Sequence, residues 1–251
     1  MAEDFARPVS TVEFWRRGRG EEFLATCYET TPESIRRSFD VEEAFVRENL
    51  PGSGRALEVG CGSGRFLARL GKEGARRFGC DLVEGAVRRA RALVGAGVPL
   101  CAGDAAFLPY REGSFDAVFC VQASLGNFGD KKAAALGEMG RVLRPGGVVL
   151  LTVYAESALP DRLEWYRRLE GNERFGRIDP SRTRGSLVVT TTGWASEGFE
   201  RGALESLIRR AGLEPRIASR EPILHLVSAT RPATGSRGSS SRRGRGGRSS
   251  G

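Results

Sequence analysis

Between Arg55 and Leu151 of this 251-residue chain, strand-like runs alternate with helix-like ones, which constrains the fold more than any other feature. "RALEVG" reads as a strand, and "GRFLARLGKE" as a helix with Phe66, Leu67 and Leu70 on one face. "ARRFGCD" is a short strand; "VEGAVRRARALVG" places Val83, Val87, Ala90 and Val94 at steps of three and four, the helical period. "VPLCAGD" and "SFDAVFCVQ" follow as strands. "DKKAAALGEMGRVL" is a helix closed by an "RPGG" turn, and "VVLLTVY" is the next strand. Buried strands alternating with helices predict an α/β fold: a doubly wound, mostly parallel sheet with helices on both faces.

The flanks set the expected domain organisation. Residues 1–54 read as two or three helices that form a lid or substrate segment. The main domain spans 55–231, with an insertion at about 155–195. In that insertion "DRLEWYRRLEG" is amphipathic through Leu163, Tyr166 and Leu169, and "SLVVTTTGW" predicts an extra strand. "FERGALESLIRRAGLE" is a helix ending at Gly212, and "PILHLVSAT" is a closing antiparallel strand.

The net charge of +8 is uneven: the last twenty residues carry five arginines and no acid, leaving +3 for the rest. Residues 232–251, rich in Gly, Ser and Arg, cannot bury enough surface to offset ordering entropy and are expected to be disordered. Arg-Gly segments of this kind suit RNA phosphates and base stacking, although a plain solubilising terminus has the same composition. No apolar run approaches membrane-span length. The N-terminus has acids before any base and no apolar core segment, unlike a secretory signal. A soluble cytoplasmic protein is therefore expected. Cys27, Cys61, Cys80, Cys101 and Cys120 are odd in number and include no CxxC pair, which argues against a zinc site or disulfide framework and favours a role as small hydrophobes.

The loop after the first strand carries the chemistry. No Gly-x4-Gly-Lys-Ser/Thr segment is present, so there is no P-loop. A dinucleotide fingerprint would require glycine at position 65, which is Arg65. The segment instead reads Glu58-Val59-Gly60-Cys61-Gly62-Ser63-Gly64. Glycines let a backbone approach a ligand closely.

This motif resembles the first motif of the class I S-adenosylmethionine-dependent methyltransferases, in the subgroup that acts on small molecules, quinones or glycine. The resemblance runs from about Arg55 to Tyr154 and implies a Rossmann-like sheet with S-adenosylmethionine as cofactor. It implies that Glu58, Gly60, Cys61, Gly62 and Gly64 hold the amino-acid end, with the following helix N-terminus favouring the carboxylate. It further implies that Asp81 accepts from the ribose hydroxyls and Leu82 packs on the adenine. Asp104 accepts from the adenine amino group, the Ala105 N–H meets a ring nitrogen, and Val121 joins the cofactor site. Each acid ends a predicted strand, where open α/β sheets bind ligands.

The acceptor is expected to face "CVQASLGNFGD", the N-terminal helices and the 155–195 insertion. "VQASLGNFG" stands where amino-methylating nucleic-acid enzymes carry Asn/Asp-Pro-Pro-Tyr, and the Pro-Cys nucleophile of cytosine C5 enzymes is absent. The expected reaction is therefore methyl transfer to a small molecule by in-line displacement. The alternatives are an RNA- or protein-directed methyltransferase using the basic tail, and a non-catalytic S-adenosylmethionine-binding protein. Gln122, Asn127 and Tyr28 are the catalytic candidates, with loop structure and core packing as their plain readings. Arg36 and Arg37 suit an anionic substrate or simply a solvated helix face. His225, the one histidine, lies in the apolar run "ILHLVS" and reads as structural.

Overall fold

The computed structural model describes residues 11–16, 26–71 and 74–233. Apart from residues 232 and 233, the expected basic tail lies outside the described residues, as do residues 1–10 and 17–25 of the expected N-terminal lid.

The chain order is α1 (Thr11–Phe14), a helical turn at 26–30, α2 (Glu33–Asn49), β1 (Arg55–Val59), α3 (Arg65–Arg69), β2 (Arg76–Asp81), α4 (Glu84–Val94), β3 (Leu100–Ala102), β4 (Phe115–Cys120), α5 (Lys132–Val142) and β5 (Leu143–Tyr154). It continues through α6 (Leu159–Leu169), β6 (Leu187–Val189), β7 (Ala195–Glu197), α7 (Arg201–Arg210), β8 (Glu214–Glu221) and β9 (Leu224–Thr230). Seven strands form one sheet in the order β3-β2-β1-β4-β5-β9-β8. Strands β1 to β5 are parallel, β9 runs antiparallel to β5, and β8 is antiparallel to β9. The order reverses between β1 and β4, which opens a crevice at their carboxyl ends.

The strands read as unbroken apolar runs because both faces are covered. Side chains alternate between two cores. Ala56, Ala117, Phe119 and Leu150 pack with Ile35, Val46, Phe66 and Leu67 on one face. Leu57, Val118, Cys120 and Leu151 pack with Leu136, Met139, Leu204 and Ile208 on the other. All five cysteines are free, and four are buried, as small hydrophobes in a core would be.

The structure differs from the sequence expectations in four places. The "RPGG" segment does not end before a strand; it bulges within β5, where Leu143 pairs with Phe115 and Val148 with Ala117. The alternating "SLVVTTTGW" is not one strand. It turns at Gly193 (φ +91°), so that β6 pairs antiparallel with β7. The sheet closes with two antiparallel strands, not one: β8 is charged and lies on the edge, so it lacks the apolar run that marks β9. Helix α3 has only five residues, too few for the helix-dipole role expected at its start.

The insertion is organised around Arg162, which is fully buried. Its guanidinium donates to the Ser186 carbonyl (2.8 Å), the Ser196 carbonyl (2.6 Å) and the Ser196 hydroxyl (3.0 Å). Trp165 on the same helix donates from Nε1 to the Cys27 carbonyl at 3.1 Å, which ties the insertion to the N-terminal segment.

Candidate functional site

A cavity of about 1150 Å³, counting its open mouth, lies at the carboxyl ends of the strands around the switch point. Eleven of the thirteen residues singled out for cofactor binding or catalysis line it: Tyr28, Glu58, Gly60, Cys61, Gly62, Asp81, Leu82, Asp104, Ala105, Gln122 and Asn127. The other two are placed elsewhere. A Cβ at Gly64 (φ +80°) would lie 2.9 Å from the Ala90 Cβ, so this glycine allows α3 and α4 to pack closely. Val121 is buried in the core.

The glycine loop is held by β2. The Gly60 and Cys61 N–H groups both donate to the Cys80 carbonyl, at 2.8 and 3.2 Å. Gly60 needs its left-handed φ of +78°, and a Cβ there would come within 3.2 Å of the Ser124 Cβ. Asp81 closes the arrangement by accepting the Gly62 N–H (2.8 Å) on Oδ2 and the Val83 N–H (2.9 Å) on Oδ1. Burial raises its pKa, and those two amides oppose the rise. Asp104 accepts the Ala106 N–H at 3.0 Å and also pairs with Lys131 at 2.5 Å. Burial alone would raise the Asp104 pKa, but Lys131 and the Ala106 amide hold it below the usual carboxylate range. Lys131, a cavity residue with no motif to mark it in the sequence, thus already occupies the carboxylate that was expected to face the adenine.

At the end of β4 the backbone is strained. Gln122 and Ala123 are both left-handed (φ +56°), a conformation that side-chain-bearing residues rarely hold without support. The Gln122 N–H donates to Thr152 Oγ1 (2.9 Å), and that hydroxyl donates to Glu42 Oε1 (2.6 Å). The Tyr28 hydroxyl donates to Gln122 Oε1 at 3.1 Å. Burial pushes the Tyr28 hydroxyl above its ordinary value, and Arg65 pulls the other way. Glu42 was missed in the sequence, although it falls on the buried stripe of α2 with Ile35, Ser38, Phe45 and Val46.

Arg65 was noted only for breaking a dinucleotide fingerprint, yet it lines the cavity. Its guanidinium lies 4.3 Å from the Tyr28 ring centre and 4.7 Å from that of Phe39. The insertion, in contrast, contributes no described lining residue; it supports the N-terminal segment from behind, and Val12, Trp15 and Tyr28 form that wall. Arg36 and Arg37 are more than half exposed beside Glu33 and do not line the cavity. His225 lies in β9 with Nε2 3.1 Å from the Phe199 carbonyl, away from the lining.

The polar atoms left without a protein partner test whether S-adenosylmethionine fits. Glu58 Oε2, Asn127 Oδ1, and Arg65 Nε and Nη2 are buried and unpaired, and all three residues line this cavity. Buried polar groups are nearly always paired, so a ligand bearing both donors and acceptors is the natural complement. A zwitterionic amino-acid end fits these residues. Among the described residues no His/Cys/Asp/Glu group is placed to hold a metal, and no helix is long and apolar enough to cross a membrane.

Glu58 gives a pH prediction. Burial, with the nearby Asp81 charge, pushes its carboxyl up to about 8, while Arg65 opposes the rise. Because the folded pKa is raised, the unfolded chain loses this proton first as pH increases. Stability from Glu58 is therefore fully present below about pH 4.5 and is lost as pH rises through about 8. Urea unfolding of the ligand-free protein should show Glu58→Gln gaining on the wild type from pH 5 to 8.5, by several kcal/mol at about 1.4 kcal/mol per pKa unit. Parallel pH profiles for the two proteins would refute the assignment.

Residues 56–147 match the family described as the methyltransferase domain. The demethylmenaquinone methyltransferase of Corynebacterium kroppenstedtii is 36% identical over 106 residues, covering 42% of this chain and 44% of that protein. The Bos taurus protein named "Probable tRNA methyltransferase 9B" is 35% identical over 113 residues, 44% of this chain and 23% of that protein. The chain thus spans less than half the length of these two relatives. A crystal structure from Thermotoga maritima, of a SAM-dependent methyltransferase called a possible histamine N-methyltransferase, has a TM-score of 0.60 at 23% identity. It covers 87% of this chain and 99% of that one, and at this identity the likeness shows the shared fold.

Proposed function

Since the chain carries a class I S-adenosylmethionine-dependent methyltransferase domain, with S-adenosylmethionine as that domain's cofactor, we propose that it transfers the methyl group to a small-molecule acceptor by in-line displacement. The observation that carries the acceptor class is the apolar part of the cavity lining, Val12, Trp15, Tyr28 and Phe128, beside the side-chain amides of Gln122 and Asn127. Such a wall suits a compact, partly apolar molecule and excludes water from it.

Bound S-adenosylmethionine supplies a methyl group already activated by its sulfonium, so the protein's task is to orient and desolvate the partners. Glu58, Gly60, Cys61 and Gly62 would hold the amino-acid end, Asp81 the ribose, and Leu82, Asp104 and Ala105 the adenine. Gln122, held in its strained turn by Thr152 and Glu42, presents a side-chain amide already anchored by Tyr28. That arrangement fixes the acceptor without depending on a mobile side chain. The family's chemistry and the absence of any membrane-length apolar helix among the described residues fit a cytoplasmic role.

A second reading follows from the relative named for tRNA and from the arginine-rich tail: an RNA-directed enzyme. One experiment separates the readings. Purified protein is given methyl-labelled S-adenosylmethionine together with a small-molecule extract, total RNA and protein, and the fractions are then resolved. Label in the small-molecule fraction is expected. Label in RNA or protein would overturn the acceptor class, and no label despite cofactor binding would make this a binding protein.

A further inference from the structure

We propose that Arg65 is the carboxylate-recognising residue of this site and takes the carboxylate of the methionyl end of the cofactor; the inference rests on the methyltransferase reading above. Its guanidinium lies 4.3 Å from the ring centre of Tyr28 and 4.7 Å from that of Phe39, two rings that meet edge to face 6.0 Å apart and form a corner beside it. A planar cation lying over an aromatic ring keeps its edges free for hydrogen bonds. The two nitrogens left buried and unpaired, Nε and Nη2, form one edge of the guanidinium. That edge is a two-donor fork, the geometry that matches both oxygens of a carboxylate.

The carboxylates nearest in charge do not use this fork. Glu42 and Glu58 both feel Arg65, yet each keeps one buried oxygen unpaired rather than bonding to it. Glu42 instead commits its other oxygen to Thr152. Donors without acceptors and acceptors without donors therefore share the cavity. A ligand group bearing a carboxylate beside an ammonium satisfies both, the carboxylate on Arg65 and the ammonium near Glu58 and Asn127. The short helix α3 supplies no comparable anion site, since five residues give it little dipole. The arginine at its first position does that work.

The test compares S-adenosylhomocysteine with 5′-methylthioadenosine, which keeps the nucleoside and lacks the amino-acid end. Calorimetry on the wild type and on Arg65→Met should show homocysteine-ligand affinity falling roughly 10- to 100-fold, the range for losing a charge-assisted pair. Methylthioadenosine affinity should change less than about twofold, which also shows that the variant is folded. Arg65→Lys, which restores charge but not the fork, should recover only part of the loss. An equal loss for both ligands would assign Arg65 to supporting the cavity and overturn the proposal. No loss for either would place the carboxylate on another residue. A wild type that binds neither ligand would overturn the methyltransferase reading itself, an outcome distinct from the other two.

Discussion

Asp81→Ala is expected to weaken S-adenosylhomocysteine binding by roughly 100-fold or more, measured by calorimetry at neutral pH. The size follows from what the carboxylate does at the end of β2. Oδ2 fixes the Gly62 N–H and Oδ1 fixes the Val83 N–H, so one side chain ties the glycine loop to the start of α4. A carboxylate has about four acceptor positions, so about two remain on Asp81, which lines the cavity. Two vicinal hydroxyls can use them. On the proposed cofactor placement, alanine removes the two hydrogen bonds that the ribose would make and frees the glycine loop, and charge-assisted bonds are worth about 1.5–3 kcal/mol each. The fold should survive, because the two amides released border the cavity and can be hydrated. Asp81→Asn, with a single acceptor oxygen, should fall between alanine and the wild type. If the alanine variant binds within about threefold of the wild type, Asp81 serves only as a loop anchor and the ribose has another partner.

The parts of this site that are legible in the sequence are those set by the strand ends. Glu58 and Asp81 lie at the carboxyl ends of β1 and β2, Asp104 just beyond β3, and the sheet order then brings them to one crevice. That convergence needs no information beyond strand identity and the parallel connection rule. Residues that reach the site from a helix face are harder to read. Glu42 appears in the sequence as one acid among several in "DVEEAFVREN", and only the buried stripe of α2 distinguishes it from Glu43, which instead pairs at the surface with Arg47 and Arg69. Arg65 was seen as the residue that rules out one fold, and its aromatic holder comes from Tyr28 and Phe39, far from it in sequence. Gly64 shows the reverse case: it belongs to the motif, yet its role is packing against Ala90. The insertion was expected to face the acceptor together with the N-terminal helices and the segment after β4. Its apolar residues Tyr166, Phe175 and Trp194 instead pack with one another and with the N-terminal segment, drawing it behind the wall.

That support sets the largest expected effect on stability. Arg162→Ala should destabilise the protein by about 4 kcal/mol, within the range for removing one partner of a buried charged network. The side chain is fully buried and its nitrogens reach two carbonyls, the Ser196 hydroxyl and, at 3.3 Å, the Tyr166 hydroxyl. The guanidinium also lies 5.3 Å from the Tyr154 ring centre and 5.6 Å from that of Tyr166. Alanine leaves the Ser186 and Ser196 carbonyls without this donor and opens a void among aromatic rings. For a protein of this size, each kcal/mol lowers the melting temperature by roughly 2–4 °C, so a fall of about 8–16 °C is expected by calorimetry. Arg162→Met separates the two contributions: it keeps most of the volume and removes the donors. A methionine variant as stable as the wild type would show that packing, and not the hydrogen-bonded frame, holds the insertion. The functional consequence runs through Trp165 and Cys27, because the segment they anchor carries Tyr28 into the cavity wall. In Arg162→Ala, at a temperature where the protein remains folded, acceptor affinity should therefore fall more than cofactor affinity. Most of the proposed cofactor contacts, apart from Arg65, come from the strand ends, and the insertion contributes no described residue to the cavity lining. A larger loss for the cofactor than for the acceptor would mean that the insertion supports the glycine loop instead of the wall built by the N-terminal segment.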